Sequence, residues 1–172
     1  MALAACGSQA RDQAPSSSQV AVAFEGSPSQ LASLHAQANQ LLGGGVAAFD
    51  TRLHALRGYP IVINKWASWC DPCQTEFPVF QRVAVGYGRQ VAFLGVDGKD
   101  TNASAAAFLR RFPVTYPSYV DPRERIASTI KASTYYPMTV FLDRRGTIDH
   151  VHAGPYESVV QLERDIGTYA LG

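Results

Sequence analysis

The sequence predicts an α/β fold, a central mixed β-sheet flanked by helices, and three observations carry that prediction. Residues 60–66 and 91–97 are short, mostly apolar runs of the kind that buried parallel strands show. Between them apolar residues recur at helical spacing, which makes a right-handed βαβ unit. Residues 138–142 and 147–153 are joined through Arg144-Arg145-Gly146, a hairpin that adds antiparallel strands to the same sheet.

Taken in order, Leu31, Leu34, Ala38 and Leu41 or Leu42 predict an amphipathic helix that stops at Gly43-Gly44-Gly45. A short helix over 46–56 leads through Arg57-Gly58 into the first central strand. After that strand Pro72 suits a first helical turn, and Phe77, Phe80 and Val83 or Ala84 mark the buried face of a helix. A helix over 103–112 follows the second strand, with Asn102 as its cap and Pro113 as its stop. Residues 115–121 read as a further short strand. Asp121-Pro122-Arg123-Glu124 then opens another helix with a cap, a proline at N1 and a glutamate at N3. Ser158-Val159-Val160-Gln161 is a capping box at the start of a last helix that runs to about residue 170.

Length and composition fit one core. The 172 residues are 47% hydrophobic, enough to bury a single domain. Fifteen Lys and Arg against fourteen Asp and Glu leave a net charge of +1, with no basic stripe interleaved with aromatics, so nucleic acid is not an expected partner. No apolar run reaches the roughly 18 residues that would span a bilayer.

Chemistry concentrates in Trp69-Cys70-Asp71-Pro72-Cys73-Gln74-Thr75-Glu76. Two thiols two residues apart, where a strand turns into a helix, make a pair that can exchange a disulfide. Cys70 lies at the helix N-terminus, where unpaired N–H groups and the dipole favour an anionic sulfur, so it is the expected nucleophile. Cys73, one turn further in and more buried, would resolve the mixed disulfide. Glu76 follows Cys73 on the same helix face and would move the resolving thiol's proton; the plainer alternative is a solvated helical glutamate. Structural zinc needs partners that this chain lacks, since Cys6 is distant and there is no second C-x-x-C. Two inert core cysteines would be odd neighbours for Pro72 and the surrounding aromatics.

The stretch from Val62 to Pro78 resembles the thioredoxin superfamily, and within it the TlpA/ResA-like thiol-disulfide oxidoreductases, whose signature reads V-N-F-W-A-x-W-C-x-P-C-x-x-E-x-P. Asn64, Trp66, Ala67, Trp69, Cys70, Pro72, Cys73, Glu76 and Pro78 all fall in register. The resemblance covers about residues 46–170 and implies a thioredoxin fold in which residues 115–121 belong to the extra segment that TlpA-like proteins insert before the cis-proline loop. It implies that Pro137 is that cis proline and contributes to catalysis beside the cysteines. Trp69, Asp71, Pro72 and Tyr136 would then face the substrate, with Tyr136 helping to choose it. No cofactor and no resident metal are expected.

Three departures stand out. Cytosolic thioredoxins carry a buried Asp where this chain has Asn64, which cannot take a proton and so strengthens the case for Glu76. Lys65 stands where the family more often has Phe; the expectation is a buried stem whose amine reaches water. Asp71 places a negative charge beside Cys70, opposing the thiolate that the helix end favours, and this leaves the direction of electron flow open.

Leu3-Ala4-Ala5-Cys6-Gly7 resembles a bacterial lipobox, with Cys6 as the lipidated residue. The basic and apolar regions that precede a lipobox are missing beyond residues 1–3, so the expectation is a start further upstream or a trimmed leader. Residues 1–29 are then a lipobox remnant and flexible tether, rich in Ser, Gln, Ala and Pro. Residues 30–172 form the thioredoxin-like domain.

The expected protein is an extracytoplasmic, membrane-anchored, monomeric enzyme that exchanges disulfides with protein substrates and with a membrane or extracytoplasmic redox partner. Its work would be apocytochrome c reduction or disulfide formation in exported proteins. Two rivals use the same fold. A Sco-like copper chaperone would use His150 and His152, two apart on a strand, but such proteins space their cysteines by three residues; the plainer reading is two solvated edge-strand histidines. A peroxiredoxin would need Pro-x-x-x-Thr-x-x-Cys, which neither cysteine has.

Overall fold

The structure, a computed structural model, describes residues 14–172. Its centre is a six-stranded mixed sheet built from β1 (Leu41–Leu42), β2 (Ile61–Trp66), β3 (Ala92–Gly98), β4 (Ser118–Asp121), β5 (Met138–Leu142) and β6 (Ile148–Ala153), in the order β1-β4-β3-β2-β5-β6. β2, β3, β4 and β1 run parallel, while β5 runs antiparallel to β2 and β6 antiparallel to β5. This is the expected thioredoxin arrangement, with the inserted strand β4 widening the sheet between β3 and the edge.

Alternation along β2 divides the interior into two cores. Val62 and Trp66 join Phe77, Phe80, Phe108 and Tyr156 on one face, beneath α4 (Asp71–Tyr87) and α5 (Asn102–Arg111). Ile61 and Ile63 join Phe49, Leu94, Val96 and Ile126 on the other, beneath α3 (Gly45–Ala55) and α6 (Arg125–Thr129). Gly95 clears the way for a hydrogen bond across the sheet: a Cβ there would strike Ser118 on β4, whose hydroxyl accepts the indole N–H of Trp66 on β2 at 3.1 Å.

Several local readings change. The helix expected to reach Leu41 or Leu42 is α2 (Ser29–His35), and those leucines instead form β1. Asn39 takes a left-handed turn at φ 62° and its N–H bonds Tyr116 O, which sets the chain beside β4. α5 is capped by Thr101, whose hydroxyl accepts from Ser104 N, rather than by Asn102. Asp121 does cap α6, accepting from Arg125 N and Ala127 N, but Glu124 is not its N3 residue. It precedes the helix at φ 52°, which turns its side chain away from the capping role. Ser158 caps α7 (Val159–Asp165) by accepting from Gln161 N, yet Gln161 bonds Glu157 N, so only half of the capping box closes. A π-helical stretch, Ile166–Leu171, continues α7.

Within the segment expected to be a flexible tether, residues 17–24 form helix α1 (Ser17–Phe24). Ser16 and Gln19 close a capping box, and Phe24 stacks on His35 with ring centroids 3.6 Å apart. Cys6 and the lipobox lie outside the described residues.

Candidate active site

Cys70 caps α4, and its extended backbone lets its sulfur accept from Cys73 N at 3.2 Å. The two cysteines form a disulfide. Cys70 keeps a small exposed edge, 4%, while Cys73 has none. Cys70 is thus the more accessible of the two, in a position where helix N–H groups favour a thiolate over a thiol. Asp71 and Pro72 occupy the first turn and are exposed. Pro78 lies inside α4.

Glu76 is not a solvated residue. It is wholly buried, with Asn64 Nδ2 donating to Oε1 at 2.8 Å and Tyr156 N donating to Oε2 at 3.3 Å. Burial pushes its pKa up to about 8, against the two hydrogen bonds, which favour the carboxylate. A buried acid poised near neutrality, one turn from the inner cysteine, can take or give a proton as Cys73 switches between thiol and disulfide. Asn64 positions the carboxyl and holds no proton of its own to exchange. Tyr156 contributes through a backbone N–H 80 residues away, which no side-chain motif could announce.

The Tyr136-Pro137 peptide bond is cis, as the resemblance implies. Tyr136 and Trp69 lie side by side, with ring centroids 4.7 Å apart, and the Trp69 indole N–H donates to Lys99 O at 3.0 Å. Trp69 is 54% exposed, so this ring forms an open surface next to Cys70.

Lys65 departs from expectation. Its amine does not reach water: the residue is fully buried, and Nζ meets Glu124 Oε1 at 2.7 Å and Tyr135 O at 2.9 Å, 3.3 Å from the Tyr136 ring centroid. Alternation on β2 points it into an apolar layer where only a supplied partner keeps it charged. Burial lowers its pKa, and the hydrogen bond and charge of Glu124 oppose that shift. Burial alone would raise the Glu124 carboxyl, but hydrogen bonds from Lys65, Lys99 and Tyr136 outweigh it and hold the pKa at about 2. Nearby, Asp97 is pushed up to about 8, first by burial and then by Asp100 and Asp121. Asp97 belongs to no motif, and Glu124 reads in the sequence only as a helix-start glutamate; the signal for its role here is Lys65 itself, a cation on a buried strand in need of a carboxylate.

The two histidines are half-buried rather than solvated. His150 stacks on Tyr169 and His152 on Tyr156, with centroids 4.1 Å and 4.3 Å apart. Among the described residues, no group of three or more His, Cys, Asp and Glu is placed to hold a metal ion.

A family model described as the AhpC/TSA family matches residues 35–151. The chain belongs to the AhpC/TSA family. It is similar to the thiol-disulfide oxidoreductase ResA of Geobacillus kaustophilus, 28% identical over 106 residues that make up 61% of this chain and 60% of that protein. It is also similar to the thiol:disulfide interchange protein DsbE of Pseudomonas fluorescens, 34% identical over 107 residues, 61% of this chain and 57% of that one. The chain thus spans about three-fifths of the length of these curated relatives. Among solved structures, that of MTB DsbF in mixed oxidised and reduced forms superposes with a TM-score of 0.62 at 30% identity, covering 68% of this chain and 85% of that one.

Proposed function

We propose that this chain is a thiol-disulfide oxidoreductase that exchanges disulfides with protein substrates. The observation that carries this reading is the pairing of a helix-capping, surface-edged Cys70 with a buried Cys73 and a buried Glu76 of pKa about 8. The names of the ResA and DsbE relatives support the same chemistry. In the reducing direction the Cys70 thiolate attacks a substrate disulfide and expels one substrate thiolate. Cys73 gives its proton to ionised Glu76, attacks Cys70 and releases the second substrate thiolate. The protein loses two electrons and the substrate gains them, and Glu76 passes the proton on. In this reading the cis Pro137, together with Tyr136, Trp69, Asp71 and Pro72, faces the substrate. An oxidant runs these steps backwards from the Cys70–Cys73 disulfide.

The finer reading places this domain outside the cytoplasm, as a monomer anchored through lipid on Cys6 and passing electrons to or from a membrane or extracytoplasmic redox partner. Its substrates there are apocytochrome c thiols and disulfides, or the cysteines of exported proteins. Among the described residues no helix is long and apolar enough to cross a membrane.

The test is the equilibrium potential of the Cys70–Cys73 pair against glutathione. A value near about −270 mV makes the protein a reductant and one near about −120 mV an oxidant. Full activity of a Cys70→Ser variant on a disulfide substrate would sink the enzyme reading. Detergent-phase partitioning that survives Cys6→Ser would sink the lipid anchor.

A further inference from the structure

Glu124 reaches the active site from the turn between β4 and α6, behind Trp69 and Tyr136. Oε1 takes the Lys65 ammonium at 2.7 Å and the Tyr136 hydroxyl at 2.7 Å, and Oε2 takes the Lys99 ammonium at 2.8 Å. One carboxylate therefore ties together the strand beneath the cysteines, the turn after β3 and the residue before the cis proline. Both Glu124 and Lys99 sit in left-handed backbone at φ 52°, a conformation that residues other than glycine seldom adopt and that the surroundings must hold. Gly98 clears the path, since a Cβ there would collide with the Tyr136 hydroxyl.

Both aromatic walls beside Cys70 hang from this knot. The Lys99 carbonyl holds the Trp69 indole N–H, and Tyr136 is held by its hydroxyl from below and by the Lys65 ammonium against its ring. Outward, Trp69 and Tyr135 are 54% and 61% exposed, the two aromatic side chains among the exposed large apolar residues, the others being Val22 and Val160. Rings fixed in advance lose little freedom when a partner packs on them.

We propose that Glu124 is a positioning residue for substrate selection: through Lys65, Lys99 and Tyr136 it fixes Trp69 and Tyr136 beside Cys70, favouring polypeptides with an aromatic or apolar side chain next to the reacting cysteine over small disulfides. The inference rests on the reading of the chain as a thiol-disulfide oxidoreductase.

The test follows oxidation of the reduced full chain by Trp fluorescence, with three disulfides in turn: a bridged peptide with Phe beside each cysteine, the same peptide with Ala, and hydroxyethyl disulfide. Glu124→Gln raises the half-saturating concentration of the Phe peptide roughly tenfold with the limiting rate little changed, and that loss exceeds the loss on the other two by roughly fivefold or more. Adding Tyr136→Ala to Glu124→Gln brings little further loss on the Phe peptide, because the two act as one unit. Should Glu124→Gln fail to fold, Lys65→Met with Glu124→Gln removes both charges and carries the same expectation. Equal losses on all three substrates, no loss on any, or unfolding of both variants would overturn the proposal. Failure of the wild-type protein to oxidise with any of the three would instead overturn the oxidoreductase reading beneath it.

Discussion

Replacing Glu76 by Gln in the oxidised protein gives a stability change whose sign depends on pH. The carboxyl titrates at about 8 in the folded chain against an ordinary 4.5. The unfolded chain therefore releases this proton first; between the two values the native state binds more protons, and stability falls as pH rises. The interval, 8 − 4.5 = 3.5 units, is worth ~5 kcal/mol at about 1.4 kcal/mol per unit. Integrated, the penalty is about 1 kcal/mol near pH 5, about 3 kcal/mol near pH 7 and nearly complete above pH 8. Gln carries no charge to bury, keeps the Asn64 bond and gives up the acceptor facing Tyr156 N, at ~1 kcal/mol. The variant should then match wild type near pH 5 and exceed it by roughly 3–4 kcal/mol near pH 8.5. Urea unfolding at each pH with the disulfide intact measures the difference. Asp97 titrates in both proteins and cancels. Stability curves that run parallel across this range would refute the buried, late-titrating Glu76 and with it the proton relay.

Other outcomes follow from the same geometry. Glu124→Ala leaves the Lys65 ammonium buried with only the Tyr135 carbonyl and the Tyr136 ring, and should cost ~3–5 kcal/mol in urea unfolding. Lys65→Met leaves Glu124 with Lys99 and Tyr136, so the loss should be smaller, ~1–3 kcal/mol; equal losses would contradict the hub. Cys73→Ser should accumulate a covalent mixed disulfide on Cys70, seen by intact mass, and Cys70→Ser should show none. Phe77→Ala opens the core between Trp66 and Phe108 and should cost ~3–5 kcal/mol by thermal or urea unfolding.

The sheet and the cysteine site are legible in the sequence because each rests on short-range physics. Apolar runs, the helix-capping position of Cys70 and the Arg144-Arg145-Gly146 turn act within a few residues of themselves. β1 is only two residues long and exists through pairing with β4, so its leucines read as the end of a helix. Thr101 and Asn102 are both good caps, and local preference does not separate neighbours. Lys65 reads as a snorkelling lysine because its partner is 59 residues away and enters through a left-handed turn that no local pattern marks. The hold on Glu76 is half visible, as Asn64 stands in the motif while the Tyr156 N–H belongs to the chain's last third.

The insert between β3 and the cis-proline loop has a consequence for how such chains can be recombined. Because Glu124 arrives on it, a lysine at position 65 is bound to travel with the insert. A chimera that pairs this β2 with a plain turn would strand an ammonium in an oily layer, and one that pairs this insert with Phe at position 65 would leave the carboxylate to Lys99 and Tyr136 alone. Shuffled libraries should therefore return few folded chains that keep lysine at position 65 without the glutamate, while an apolar residue there tolerates inserts of either kind.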